Sequence, residues 1–268
     1  MSNVDWRLLT TVPSSTRTIH QNQVVATKHR LYCAEYPIGT IDYVLGWELQ
    51  KILVNQRAED EIGDTLLLVA HPHVYTVGRR ISITDVLASS STLTESNIPI
   101  IEVDRGGETT YHGPGQLVGY TIFGIRQFGG PLQFVRQLED VLVAVIRRFD
   151  LDATVVPGKT GVWIKQKGDI RKIASIGLRI SRGITSHGFA LNVNTDLQFF
   201  DQIIPCGLED CTMTSLEQEL GYKVDLPSVV QYLEEEMDNV MSMKVKKGNI
   251  ETIAPQLKLA ETRRLAIR

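Results

Sequence analysis

The sequence predicts an α+β fold built on a mixed, largely antiparallel sheet. Strand-like runs crowd together between Thr154 and Asn192 with only turn signals between them. The amphipathic helical runs fall before and after that block instead of alternating with it. No internal repeat and no Pro/Gly/Ser-rich linker divides the 268 residues, which points to one domain over residues 31–243. Residues 1–30 are read as an N-terminal extension and residues 244–268 as a C-terminal tail.

Taken in order, Leu31 to Tyr36 has strand character, and Thr40 is the expected N-cap of a helix whose Ile41, Val44, Leu45, Leu49, Ile52 and Leu53 recur at three and four. Leu66 to Val69 and Val74 to Val77 read as strands around the turn His71-Pro72-His73, because proline cannot donate to a ladder. Ile98 to Val103 and Gln116 to Ile125 follow as strands on either side of a glycine-rich run. From Pro131 to Asp150 the apolar residues Val135, Leu138, Leu142, Val145 and Phe149 mark a helix, and Pro131 suits its first turn. Strands are expected at Thr154 to Val156, Gly161 to Lys165, Lys172 to Ile180 and Ile184 to Asn192. A short helix at Leu197 to Phe200, a helical stretch from Thr214 to Leu220 and a helix from Pro227 to about Met241 complete the series.

Composition narrows the function classes. A hydrophobic share of 43% with 22% charged residues is that of a soluble globular protein, and no run reaches the ~18 apolar residues of a membrane span. The net charge of −3 exerts no global pull on nucleic acid or an anionic membrane. Three cysteines, Cys33, Cys206 and Cys211, are an odd number at unrelated spacings and fit a reducing compartment. Cys206 and Cys211 are at most half a zinc site, since no second Cys/His pair accompanies them. Arg7, Arg17, Lys28 and Arg30 against the single acid Asp5 allow the N-terminal extension to be a mitochondrial transit peptide or a disordered arm. The expected location is mitochondrial, or cytoplasmic for a bacterial source.

Residues 105–120, R-G-G-E-T-T-Y-H-G-P-G-Q-L-V-G-Y, concentrate glycine where backbone N–H groups could approach a ligand. The alternative is a turn-rich connection. Cys206 lies in I-I-P-C-G-L, where Pro205 and Gly207 argue against burial in mid-strand. A thiol of pKa ≈ 8.5 needs a cation or base beside it to act as a nucleophile. The candidates are Lys172, which opens K-I-A-S-I-G-L with its small Ala174, Ser175 and Gly177, and the histidines His71, His73, His112 and His187. Spacing alone does not choose among them. No G-x-S-x-G, P-loop or G-x-G-x-x-G occurs.

Together, residues 105–120, R-K-I-A-S-I-G-L-R at 171–179, H-G-F-A-L-N-V at 187–193 and D-L-Q-F-F-D-Q-I-I-P-C-G-L at 196–208 resemble the lipoyl(octanoyl) transferases. H-P-H-V-Y-T-V-G-R at 71–79 adds to a match over roughly residues 31 to 222. The resemblance implies the fold shared with biotin protein ligases and lipoate ligases. It also implies transfer of an octanoyl group from octanoyl-acyl carrier protein to a lysine of lipoyl domains, those of 2-oxoacid dehydrogenases and the glycine cleavage H protein. Cys206 would carry the acyl group as a thioester, and Lys172 would lower the thiol's pKa and shuttle its proton. Arg105, Gly106, Gly107, Glu108, Thr109, Thr110, Tyr111, His112, Ser175, Ile176, Gly177, Gly188, Phe189 and Ala190 would line the acyl pocket. No cofactor is expected, since a thioester-to-amide relay is downhill without ATP, and no metal, since Cys206 and Cys211 lack a second Cys/His pair. The sequence departs from the family pattern at Ala70, His73 and Thr121 and in the polar segment Lys165 to Asp169. Arg79, Arg80, Arg171, Arg179 and Arg182 are the expected docking residues for an acidic donor protein. The competing readings are an ATP-dependent lipoate ligase and a non-catalytic acyl or lipoyl-domain binding protein.

Overall fold

The computed structural model describes residues 31–81, 97–166, 168–203 and 211–253, and for residues 31–38 and 250–251 the backbone alone. Its elements run in chain order β1 (Leu31–Thr40), α1 (Tyr43–Ala58), β2 (Asp64–Ala70), β3 (Val74–Val77), β4 (Ile100–Glu102), β5 (Thr109–His112) and β6 (Gln116–Ile122). There follow α2 (Pro131–Arg147), β7 (Ala153–Val156), β8 (Lys159–Gln166), β9 (Asp169–Ser181), β10 (Ile184–Asn192), α3 (Leu216–Leu220), α4 (Leu226–Met241), β11 (Met243–Lys247) and α5 (Ile250–Ile253). Short 3₁₀ turns occupy Ile125–Phe128 and Leu197–Gln202.

The large sheet has the order β11-β1-β2-β6-β10-β9-β8-β7. Its β11–β1 and β1–β2 pairs are parallel and the others antiparallel, so the sheet is mixed and largely antiparallel, as the sequence predicts. A small sheet, β4-β3-β5, stands apart from it.

Strand periodicity divides the core into two layers. On β2, Leu66 and Leu68 face α2 and α4, whereas Leu67 and Val69 face α1. On β6, Leu117 joins the first layer, and Val118, Tyr120 and Ile122 join the second. β2 is buried on both faces, which is why its sequence is a continuous apolar run instead of an alternation.

Several boundaries differ from the sequence reading for local reasons. Asp42, not Thr40, caps α1: its carboxylate accepts the Val44 and Leu45 N–H groups, and Thr40 ends β1. β6 stops at Ile122, and Ile125 instead opens a 3₁₀ turn. α3 starts at Leu216 with Ser215 as its cap, leaving Thr214 outside the helix. Lys244 to Lys247, assigned to the tail, belong to the edge strand β11, whose lysines are a common guard on such an edge. Residues 1–30 lie outside the described residues.

Candidate active site

A cavity of about 430 Å³ opens on the face of β9 and β10, roofed by the glycine-rich run and bounded by the start of α2. The roof is tied down by backbone. Gly106 N–H donates to the Leu178 carbonyl of β9 at 2.9 Å, and Gly78 N–H to the Glu108 carbonyl at 3.0 Å. Gly177 permits that approach, since a Cβ there would meet the Gly106 carbonyl at 3.0 Å. The space left by this small residue is therefore filled by the protein's own chain.

Of the residues expected to line the acyl pocket, Arg105, Gly106, Gly107, Glu108, Thr110, His112, Ser175, Ile176, Gly177, Gly188, Phe189 and Ala190 all border this cavity. Thr109 and Tyr111 do not. The run contains the strand β5, and side chains alternate across it: Thr110 and His112 face the cavity, while Tyr111 packs against Tyr75, Phe199 and Phe200 on the far side.

Lys172 also borders the cavity and is almost completely buried. The segment after Cys206 rejoins the sheet at this residue. Lys172 N–H donates to the Thr212 carbonyl and Thr214 N–H to the Lys172 carbonyl, both at 2.8 Å. Cys206 itself lies outside the described residues.

The opposite end is polar. The Arg105 guanidinium is buried and donates to the Thr76 carbonyl and hydroxyl at 2.8 and 2.9 Å. His187 lines the cavity with a left-handed φ of 57° and its Nε2 is 2.8 Å from Asp104. Asp104 also accepts from the Trp47 indole at 3.2 Å and pairs with Arg179. The hydrogen bond from His187, with the nearby arginine, holds the Asp104 carboxyl down to about 2. Burial lowers His187 even against that carboxylate, so the imidazole is neutral at pH 7 and donates its Nε2–H.

Behind these groups lies a hydrogen-bonded set of rings. His71 donates from Nδ1 to the Ile41 carbonyl at 2.7 Å and accepts the Tyr120 hydroxyl on Nε2 at 2.6 Å. Burial brings it down to about 4 and pushes the Tyr120 phenol well up. His112, driven far below its usual value by burial, donates from Nδ1 to Gln116 at 2.7 Å. Gln116 donates to Asn192 at 2.9 Å, and Asn192 to the Thr214 carbonyl at 3.0 Å. The ladder thus runs from His112 to the segment hydrogen-bonded to Lys172.

This geometry sorts the candidate partners for a thiol. Both nitrogens of His71 are engaged, His73 bonds the Tyr111 hydroxyl at 2.7 Å, His112 lines the cavity with its Nδ1 bonded to Gln116, and His187 bonds Asp104 through Nε2. Asp104, Tyr43, Tyr120 and the Gln116–Asn192 pair escaped the sequence reading. Asn192 ends the H-G-F-A-L-N block, which was a usable signal, whereas Asp104 carries none. Among the expected docking arginines, Arg171 is held bidentately by Glu219 at 2.9 and 2.8 Å, Arg179 by Asp104, and Arg182 by Asn55. Arg79 and Arg80 are exposed, and Arg80 stands at the cavity. Among the described residues no cluster of His, Cys, Asp or Glu could hold a metal, and no helix is long and apolar enough to cross a membrane.

The lipoyl protein ligase A/B catalytic domain family matches residues 42–238, which places the chain in that class of catalytic domain. Among sequence relatives, the octanoyltransferase of Acidobacterium capsulatum is 48% identical over 202 residues, covering 72% of this chain and 81% of the relative. That of Corynebacterium efficiens is 42% identical over 208 residues, covering 76% and 80%. The chain belongs to the lipoyl(octanoyl) transferase family and is an acyltransferase. Solved structures share the fold. A bipartite lipoate protein ligase from Thermoplasma acidophilum matches with a TM-score of 0.61 at 15% identity, covering 85% of this chain and 92% of that one. A lipoate-protein ligase A bound with ATP gives 0.58 at 17% identity, covering 85% and 93%. These relatives are bacterial where the sequence likeness is high, and they lend no support to a mitochondrial address.

Proposed function

We propose that the chain moves an octanoyl group from octanoyl-acyl carrier protein to a lysine of lipoyl domains, with Cys206 as the acyl carrier and Lys172 as the proton shuttle. The observation that carries the reading is the placement of Lys172. It is a buried amine on a cavity wall, at the point where the chain returns to the sheet six residues after Cys206.

In the first half-reaction, the Cys206 thiol passes its proton to the Lys172 amine, and the thiolate attacks the donor's thioester carbonyl. A new S–C bond forms, and the departing carrier thiolate takes the proton back from Lys172. In the second, a neutral acceptor amine attacks the enzyme thioester and gives its proton to Lys172. Cys206 leaves as thiolate and recovers that proton. Proton transfer of this kind contributes typically ~10²–10⁴-fold. The acyl chain would lie under the glycine-rich roof, against Ile176, Phe189 and Ala190.

The test is amide formation on a lipoyl domain from octanoyl-acyl carrier protein without nucleotide. Wild-type turnover, with loss in Lys172→Gln, is expected. Turnover from free octanoate plus ATP, indifferent to Cys206→Ser, would assign the lipoate ligase activity instead. Tight acyl binding with no transfer would assign a binding protein.

A further inference from the structure

Lys172 does not meet the cavity alone. Its Nζ stands 5.3 Å from the centre of the Trp163 ring, and the two residues are direct cross-strand partners on β9 and β8. Trp163 is 2% exposed, and its indole N–H has no hydrogen-bond partner among the described residues. A buried tryptophan usually finds an acceptor for that group. The ring's polar edge does not account for its position, whereas its face lies toward the Lys172 amine.

The neighbouring strand is shaped to the same end. Gly161, with a φ of 118°, lets β8 lie close to β9: a Cβ there would lie 2.4 Å from the Ala174 carbonyl and 2.8 Å from Lys172 Cε. Glu139 of α2, completely buried, accepts the Gly161 N–H at 2.9 Å and fixes the strand from below. Glycine and indole thus border the lysine stem, and Glu139 pins the strand that carries the glycine.

We propose that Trp163 is a positioning residue for the acyl transfer, its ring face holding the Lys172 amine at the cavity wall. A lysine on four rotatable carbons loses rotamer freedom when confined, and a ring within ~6 Å offsets part of that by attracting the ammonium. Unlike a carboxylate, the ring accepts no proton and carries no net charge. It therefore leaves the shuttle's proton on the amine and steadies Lys172 in the protonated state from which that proton is returned to the leaving group. The inference rests on the reading of Lys172 given above.

The test compares Trp163→Phe, which keeps a ring face, with Trp163→Leu, which keeps only apolar volume. With octanoyl-acyl carrier protein and a lipoyl domain, Trp163→Leu should lower kcat about tenfold to thirtyfold at little changed KM, the span of a desolvated cation–ring contact. Trp163→Phe should stay within about threefold of wild type. A structural role would instead lower the folded fraction of both variants, following Tm, and kcat referred to the folded fraction would then return to the wild-type value in both. Independently of turnover, reductive ¹³C-methylation should give Lys172 an upfield-shifted methyl resonance, assigned with Lys172→Arg because Lys159 also stands 5.7 Å from the ring. That shift should persist in Trp163→Phe and vanish in Trp163→Leu. An unshifted wild-type resonance, or equal kcat losses in both variants, overturns the inference. If Lys172→Gln transfers at the wild-type rate, the role of Lys172 fails and this inference with it. If Lys172→Gln is inactive while Trp163→Leu is not slowed, only the inference fails.

Discussion

Acid should weaken this fold well before its carboxylates titrate, and His71 provides the measure. Its ring is buried, donates to the Ile41 carbonyl and accepts from Tyr120, and burial brings it down to about 4. In the unfolded chain the same group titrates near ~6.5. Because its folded value is the lower one, the unfolded chain binds the proton first. The contribution is intact above about pH 6.5 and is lost as pH falls toward 4. At pH 4 the difference amounts to about 3 kcal/mol, and for a chain of this size that is a Tm loss of about 6–12 °C. His112 and His187 act in the same direction. Asp104, held down to about 2, has its window lower still, from about 3.8 down to its folded value, whereas Glu219, held below 4.5 against its burial by hydrogen bonds from Arg171 and Thr214, adds to the loss only as pH nears 4. Calorimetric melts between pH 7 and pH 4 should show this slope, reduced in His71→Asn, which retains a donor for Ile41. A folded-state His71 titration midpoint near 6.5, or an unchanged slope in His71→Asn, would refute the reasoning.

Gly161→Ala should destabilise by about 3 kcal/mol or more, from a left-handed φ and overlap with Lys172 Cε and the Ala174 carbonyl, and should depress kcat as well. Thermal melts and initial rates check both arms. Arg80→Glu, at the cavity mouth, should lower kcat/KM for an acidic donor protein about tenfold and flatten its salt dependence while leaving Tm unchanged. Arg171→Glu should instead lower Tm, since it breaks the bidentate pair with the nearly buried Glu219. An equal kinetic effect from both reversals would remove Arg80 from the docking surface.

The fold class was legible because long periodic segments leave little choice: α2 and the β9–β10 hairpin follow directly from apolar spacing. Short elements were not. β5 is four residues inside a glycine-rich run, too brief to display a period, so the alternation that turns Tyr111 away from the cavity was invisible. β11 is mostly lysine and reads as a solvated tail until β1 is seen beside it. At the site, the blocks around Arg105, Lys172 and Gly188 announce themselves by composition. The Asp104–His187 pair is separated by 83 residues, and only the fold brings it together. Arg171 and Arg179 looked available in sequence because nothing in a linear chain reveals that Glu219 and Asp104 hold them.

The acyl-enzyme can be sought most directly by the intact mass of the protein after incubation with octanoyl-acyl carrier protein in the absence of a lipoyl domain. One octanoyl group per chain is expected, released by hydroxylamine, mapped to Cys206 and discharged to amide when a lipoyl domain is added. Absence of the adduct, or full transfer activity in Cys206→Ser, would contradict Cys206 as the acyl carrier.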